Sequence, residues 1–190
     1  MERIQAIDLG ILNWIQEHLA CGFFDVTMPA ITRLGDVGFI WILLGCVLLF
    51  LPRERSLGIR ILLGIVFSAL ICNLFLKNLV GRVRPFELVE TVRLLVEMPH
   101  DSSFPSGHTS AAFAAAVVVL KSKWRWHYWV LALAVLVAAS RLYLYVHFPT
   151  DVLGGMVTGT VSGLLACGIV SRIEAYRSRR PEESITESGK

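Results

Sequence analysis

Three short stretches of this chain place cations and histidines at the ends of long apolar segments. Their residues are Lys77 and Arg84, then Ser106, Gly107 and His108, then Arg141, His147 and Asp151. Ionisable side chains at such positions in a membrane are costly, and by default they mark functional sites. Together, these cations, histidines and carboxylate are the groups that binding and cleaving a phosphate would need.

The third stretch could supply a nucleophile and the group that orients it. Arg141 and His147 are six residues apart, close to two helical turns, so they can share a face. Pro149 favours a turn followed by a new helix, which would put Asp151 in the first turn of that helix. Asp151 could then bond one ring nitrogen of His147 and leave the other free to attack. The alternative is an interfacial histidine followed by an ordinary helix-start acid.

The second stretch directly precedes a run of small residues that favours a helix. Exposed amides at a helix start, with Gly107 allowing close approach, form an anion site. Ser106 could add a hydroxyl, and His108 could protonate a leaving group. An ordinary serine-capped helix is the alternative. Taken alone, the cations of the first stretch could simply extend to the membrane interface.

The composition is that of a membrane protein rather than a soluble domain. Of the 190 residues, 55% are hydrophobic and 17% are charged, and the mean hydropathy is +0.62. Soluble domains carry about 25% charged residues. No basic stripe with interleaved aromatic residues indicates a nucleic-acid partner. The cysteines are scattered without a CxxC motif or a Cys/His pair, so neither a metal site nor a disulfide framework is predicted.

Apolar segments long enough to cross a bilayer predict an all-α, polytopic membrane helical bundle. About five spans are expected, at residues 29–51, 58–79, 106–120, 127–147 and 150–171. Residues 3–20 have one apolar and one polar side, which predicts an amphipathic helix on the membrane surface. A sixth, polar-faced span is the alternative for this segment. Residues 1–172 would form a single membrane-embedded domain, and residues 173–190 a polar, disordered tail.

Basic residues predict how the bundle is oriented. Lysine and arginine are in excess at residues 52–60, at residues 121–127 and in the tail, which places these segments and the C-terminus in the cytoplasm. With the predicted spans, all three chemical stretches then fall on the extracytoplasmic face of the plasma or inner membrane. Residues that are distant in sequence would therefore meet in a single site.

These residues resemble the three-part signature of the type 2 phosphatidic acid phosphatase superfamily. The matching parts are Lys77-(six residues)-Arg84-Pro85, Pro105-Ser106-Gly107-His108 and Ser140-Arg141-(five residues)-His147-(three residues)-Asp151. The spacing within each part agrees, and the resemblance covers the core at 58–171. The N-terminal helix adds nothing to it. Soluble vanadium haloperoxidases share the signature, but the predicted spans argue against that branch.

The resemblance implies a metal-independent phosphatase without a cofactor, working through a phosphohistidine intermediate. By that analogy His147 attacks phosphorus, Asp151 orients it, and His108 protonates the leaving oxygen. The residues implied to hold the phosphoryl oxygens are Lys77, Arg84, Ser106, Gly107 and Arg141. The His100-Asp101 pair lies in the loop beside the site and is not favoured for a catalytic role.

A site at the outer membrane face suits a phosphate head group on a lipid tail. The chain resembles bacterial members that act on undecaprenyl diphosphate; phosphatidylglycerophosphate, phosphatidic acid and other isoprenyl diphosphates remain open. A lipid phosphotransferase and a non-enzymatic head-group binding or transport protein are further alternatives. The apolar stretch Val92 to Met98 is a candidate part of the lipid entrance. The expected partners are the lipid substrate and the bilayer, and the sequence does not indicate an oligomeric state.

Overall fold

The computed structural model describes residues 2–89 and 94–179, which form helices and connecting turns without a strand. The helices are α1 (Glu2–Leu19), α2 (Gly22–Leu34), α3 (Phe39–Leu49), α4 (Arg55–Ser68), α5 (Lys77–Val80), α6 (Pro85–Leu88), α7 (Gly107–Ser122), α8 (His127–Tyr143) and α9 (Pro149–Arg179). A 3₁₀ turn, Asp36–Gly38, separates α2 from α3, and a π-helix, Ala69–Leu76, joins α4 to α5. The predicted all-α fold is confirmed for this part of the chain.

Length and hydropathy identify fewer certain membrane spans than the sequence predicts. Within the described ranges, Arg55–Leu88 and α9 are long and apolar enough to cross a bilayer. The pair α2 and α3 would make a third span, bent by 44° at its break, and α8 is a shorter apolar helix. The figure of about five spans therefore stays a prediction.

The bend between α2 and α3 interrupts the predicted span at 29–51. Gly38 lies in the left-handed region with φ +74°, a conformation that costs glycine little. Val37 shares this region with φ 53°, so the helical hydrogen-bond ladder cannot continue through the turn. The turn brings the exposed side chain of Asp36 within hydrogen-bond distance of His108 on α7.

Helices α7 and α9 pack backbone to backbone through a glycine stripe on α9. A Cβ added to Gly155 would lie 2.6 Å from the carbonyl oxygen of Ser106, and one on Gly163 would lie 2.7 Å from that of Ala114. Gly159 makes a similar approach to Ser110. These glycines therefore serve close helix packing within the bundle.

The far end of α9 is tied to the start of α4. Glu174 accepts hydrogen bonds from Ser56 and, at 2.7 Å, from Arg60. The helix continues to Arg179, so residues 173–179 are helical although the sequence places them in a disordered tail. The remaining tail residues, 180–190, lie outside the described ranges.

Helix α1 turns Asp8 and Leu12 toward the bundle and several apolar residues outward. Asp8 and Leu12 are 2% and 0% exposed, whereas Ile7 is 64% exposed. Gln16 donates to the backbone oxygen of Tyr143 at 2.6 Å, which ties α1 to the end of α8. A helix is present where the sequence predicts one, and it packs on the bundle. Its position on the membrane surface stays a prediction.

Candidate active site

The cations of the first stretch follow directly from a change in helical pitch. The π-helix Ala69–Leu76 ends directly before Lys77, and such widened turns occur frequently at functional sites. Gly81, with φ +59°, ends α5 in the left-handed region and turns the chain. Arg84 then precedes Pro85, which begins α6. Both cations consequently sit at the same end of the bundle.

Asp101 pairs with both of these cations. Its carboxylate accepts hydrogen bonds from Lys77 Nζ and, at 2.5 Å, from Arg84 Nη2. Arg84 also donates through Nε to the Asp101 backbone oxygen at 2.8 Å. Burial alone would raise the pKa of the Asp101 carboxyl, but the hydrogen bonds and charges of Lys77 and Arg84 outweigh it and lower that pKa to about 2. Asp101 is thus a charged carboxylate that pairs with two residues predicted to bind phosphate, Lys77 and Arg84.

The second stretch caps α7, and its serine is buried rather than exposed to the cavity. Ser106 is the N-cap and is 0% exposed; its hydroxyl accepts from Thr109 Oγ1 at 3.0 Å. Its backbone N–H donates to the Asp151 backbone oxygen at 3.0 Å. A Cβ on Gly107 would lie 2.8 Å from Asn73 Oδ1, so a side chain at this position would displace the Asn73 amide. Ser106 therefore braces the third stretch in this structure.

His108 faces a carboxylate that the sequence analysis did not single out. Its Nε2 lies 2.8 Å from Asp36 Oδ1, across a separation of 72 residues. Asp36 comes from the turn between α2 and α3. The contact gives this histidine a partner that can orient its ring.

Arg141 lies in the last turn of α8 and is 4% exposed. Its Nη1 donates to Thr32 Oγ1 at 2.5 Å. The Nε–H has no hydrogen-bond partner within the described residues. A buried guanidinium with spare donors is suited to receive anionic oxygens.

His147 lies between Arg84 and Asp151 in the turn before α9. Its Nε2 is 3.4 Å from Arg84 Nη1, and its Nδ1 is 3.7 Å from Asp151 Oδ2. The second separation is longer than a hydrogen bond. Asp151 instead accepts from Arg82 Nη1 at 2.6 Å, from Ser103 Oγ and from the Phe148 backbone N–H at 2.9 Å. Residues other than His147 therefore hold this carboxylate in place.

A cavity of about 820 Å³ unites most of the predicted site. The signature residues that line it are Lys77, Arg84, Gly107, His108, Arg141 and His147. Ser106 and Asp151 are not among the described residues on its wall, because they lie behind Gly107 and His147. Val96, Glu97 and Met98, from the predicted lipid entrance, also line the cavity, whereas Val92 and Arg93 lie outside the described residues.

Sequence reasoning missed the acidic and hydroxyl partners of the signature residues. Those partners are Thr32, Asp36, Asp101 and Ser103. Only the Asp101 position drew attention, as part of the loop beside the site. For the others, contacts across the fold carry the information, so local spacing offers no signal.

Comparison with known proteins agrees with the signature. Residues 58–174 match the sequence profile of the PAP2 superfamily. A Sulfolobus acidocaldarius protein named undecaprenyl-diphosphatase is 35% identical over 134 residues, which cover 70% of this chain and 65% of that protein, just under two thirds of its length. Undecaprenyl-diphosphatase BcrC of Bacillus subtilis is 30% identical over 145 residues, which cover 74% of this chain and 72% of that protein.

The fold is also that of a solved membrane phosphatase. The crystal structure of the transmembrane PAP2-type phosphatidylglycerolphosphate phosphatase from Bacillus subtilis matches with a TM-score of 0.74 and 29% identity. The match covers 91% of this chain and 89% of that one. The family resemblance and the membrane location predicted from the sequence are therefore confirmed. The chain belongs to the PAP2 superfamily of membrane phosphatases, hydrolases that act on phosphate esters.

Proposed function

We propose that this protein hydrolyses a lipid diphosphate, undecaprenyl diphosphate in the first place, through a phosphohistidine on His147. One observation carries the proposal. His147 Nε2 lies 3.4 Å from Arg84 Nη1, in a cavity that Lys77, Arg141 and His108 also line. A nucleophilic nitrogen surrounded by cations, with a second histidine in the same cavity, suits phosphoryl transfer.

The reaction proceeds in two displacements. His147 Nε2 attacks the terminal phosphorus, an N–P bond forms, and the bond from phosphorus to the bridging oxygen breaks. His108 gives its proton to that leaving oxygen, which departs as the lipid monophosphate. A water molecule then loses its proton to His108 and attacks the phosphohistidine, which releases inorganic phosphate and regenerates His147.

Asp151 orients His147 in this scheme. Its Oδ2 is 3.7 Å from His147 Nδ1, and catalytic hydrogen bonds are often long before substrate binds. A small rotation of the imidazole would close the gap and direct Nε2 toward phosphorus. Asp151 is 0% exposed, so its charge acts in a dry environment where it is poorly screened.

Charge and lining support a diphosphate head group on a lipid. The cations on the cavity wall are Arg33, Lys77, Arg84 and Arg141. These cations can bind phosphoryl oxygens, and the acids Asp36, Glu97 and Asp101 lie on the same wall. Activity without a divalent metal is expected from the family resemblance. Val37, Val96 and Met98 line the same cavity and could contact the first carbons of the lipid tail. The relatives named undecaprenyl-diphosphatase support this substrate.

The orientation we propose puts the cavity on the extracytoplasmic face of the plasma or inner membrane. The Arg60–Glu174 contact joins the start of α4 to the end of α9, away from Lys77 and Asp151. Arginines and lysines cluster at that opposite end, as expected for the cytoplasmic side. The C-terminus is therefore cytoplasmic.

Two enzymatic alternatives keep the same site. The structural similarity to a phosphatidylglycerolphosphate phosphatase favours a phospholipid monoester as the second candidate substrate, with phosphatidic acid in the same class. In a lipid phosphotransferase, an alcohol would replace water in the second displacement. A head-group binding or transport protein would bind the lipid without releasing phosphate.

The test is phosphate release by the purified, reconstituted protein from a panel of lipid mono- and diphosphates in the presence of EDTA. We expect turnover of undecaprenyl diphosphate, and His147→Ala should lower kcat by about 10⁴-fold or more, as expected when a nucleophile is removed. When the wild type is quenched in alkali during turnover, it should carry a phosphate adduct, and this adduct should be lost in acid. The variant should form no such adduct.

His18→Ala is the matched control, because this histidine is exposed near the end of α1 and contacts Trp14. It should retain wild-type turnover. Equal activity of His147→Ala and the wild type would contradict the assigned nucleophile. Strict dependence on a divalent metal would contradict the proposed charge stabilisation, and product analysis with an added alcohol separates the transferase.

A further inference from the structure

The N-terminal helix carries a buried carboxylate that lies outside the family match at residues 58–174. Asp8 is 2% exposed. Its Oδ2 accepts from Arg82 Nη2 at 2.8 Å and from Thr150 Oγ1 at 2.5 Å, and its Oδ1 accepts from the Thr150 backbone N–H at 3.2 Å. A buried carboxylate is stable only with such hydrogen-bond partners. Through Thr150, Asp8 is attached to the start of α9.

Arg82 links this carboxylate to the one beside His147. Its Nη1 donates to Asp151 Oδ1 at 2.6 Å, while its Nη2 donates to Asp8. The guanidinium also lies 4.0 Å from the centre of the Phe148 ring. Arg82 is absent from the described residues on the cavity wall, so it is placed to hold Asp151 rather than a substrate phosphate.

Hydrogen bonds fix both carboxylate oxygens of Asp151. Arg82 holds Oδ1, whereas Ser103 and the Phe148 backbone N–H hold Oδ2, the oxygen that is 3.7 Å from His147 Nδ1. A forked guanidinium fixes orientation as well as charge. The direction of Oδ2 toward the imidazole therefore depends on Arg82, and the direction of Arg82 depends on Asp8.

Helix α1 also restrains the turn that carries His147. Tyr145 has φ +59°, an unfavourable conformation for a residue with a side chain. Its hydroxyl donates to Asn13 Oδ1 at 2.6 Å, and its ring packs with Leu12 and Phe148. Such backbone conformations persist where the surroundings over-determine them, and here α1 supplies much of the surroundings.

We propose that Asp8 and Arg82 are positioning residues, and that α1 belongs to the catalytic apparatus by aligning Asp151 with His147. The inference rests on the proposed role of His147 as the nucleophile. It assigns a function to a helix that the three-part signature leaves out. Removal of either charged group should slow the chemical step without weakening phosphate binding.

The test measures kcat, KM, inhibition by inorganic phosphate and Tm for the full-length protein, with the lipid phosphate that the wild type hydrolyses fastest. Asp8→Asn and Arg82→Gln should lower kcat by about 10- to 100-fold, the range typical for residues that orient a reacting group. The phosphate inhibition constant should not change, because Lys77, Arg84 and Arg141 are untouched. Asp8→Glu should recover part of kcat.

Asp25→Asn is the matched control: it removes the charge of another carboxylate in an interhelical contact, with the Tyr143 hydroxyl at 2.6 Å, that does not reach Asp151. It should keep the wild-type kcat. The proposal is overturned if Asp8→Asn retains full kcat, if kcat and phosphate inhibition weaken together, or if Asp8→Glu and Asp8→Asn behave alike. Normal turnover of His147→Ala would instead refute the proposed function, so the two failures are distinguishable.

Discussion

Each histidine in the cavity has a carboxylate beside it. His147 has Asp151 at 3.7 Å, and His108 has Asp36 at 2.8 Å. The spacing of the third stretch predicts the proximity of the first pair, because its members are four positions apart across a turn. The second pair spans 72 residues and depends on the break between α2 and α3. The sequence therefore suggests the roles of both histidines, but it predicts the carboxylate partner of His147 only.

At this scale, Asp101→Asn should strengthen inhibition by inorganic phosphate. The carboxylate pairs with Lys77 and Arg84, so the amide variant leaves both cations free to bind phosphoryl oxygens. Asp101 is 56% exposed, and exposed ion pairs contribute at most about 1 kcal/mol, so the inhibition constant should fall by up to about fivefold. Unchanged or weaker inhibition, against an Asp25→Asn control, would contradict this expectation.

The pH dependence of the Asp101 ion pairs has a defined sign. The pKa of Asp101 is lowered to about 2 in the folded protein, whereas an unperturbed aspartate has a pKa of about 3.9. The pairs thus contribute fully to stability above about pH 4, and the contribution is lost as the pH falls toward 2. The difference in Tm between the wild type and Asp101→Asn should be constant from pH 5 to 8. A difference that varies within this range would contradict the prediction.

Among the helices, α7 and α9 form the frame that holds two of the three chemical stretches. The N-cap at Ser106 and the proline at the start of α9 put these stretches at adjacent helix ends. The glycine stripe on α9 brings the two backbones into contact, and the Ser106 N–H bonds the Asp151 carbonyl oxygen at 3.0 Å. Packing between these helices therefore sets the distance between their stretches.

Gly159→Ala should destabilise the protein. Its Cβ would collide with the backbone oxygen of Ser110 and lie 3.0 Å from the Ala114 nitrogen, and neither backbone atom can move independently. Overpacking of this kind costs about 1–3 kcal/mol, which should appear as a lower Tm in detergent. Gly168→Ala, on the same helix with nothing within 4 Å of its new Cβ, is the control and should not lower Tm. Equal Tm values for the two variants would refute the packing account.

For the whole molecule, the proposed topology makes the cavity extracytoplasmic and the C-terminus cytoplasmic. A C-terminal green fluorescent protein fusion should fluoresce, because that reporter folds in the cytoplasm. A C-terminal alkaline phosphatase fusion should be inactive, because that reporter requires export. The opposite pattern would reverse the orientation and place the cavity on the cytoplasmic side.

Much of the helical framework is predictable from the sequence, because capping and apolar length are local properties. The prediction of 106–120 corresponds to Gly107–Ser122, and that of 127–147 to His127–Tyr143. The segment 29–51 differs because two left-handed residues break it into α2 and α3. The pitch change at Ala69–Leu76 also escapes an apolar pattern, since π- and α-helices bury similar residues.

By itself, the sequence determined the helical membrane character, the family and the identity of the signature residues, since composition and short-range spacing carry that information. Only the tertiary structure decided that Ser106 is buried, that Asp101 pairs with Lys77 and Arg84, and that Asp36 faces His108. It also decided that Asp8, 74 residues from Arg82, supports the carboxylate beside His147. Such contacts arise from helix packing, which depends on the shape of whole faces rather than on neighbouring residues in the chain.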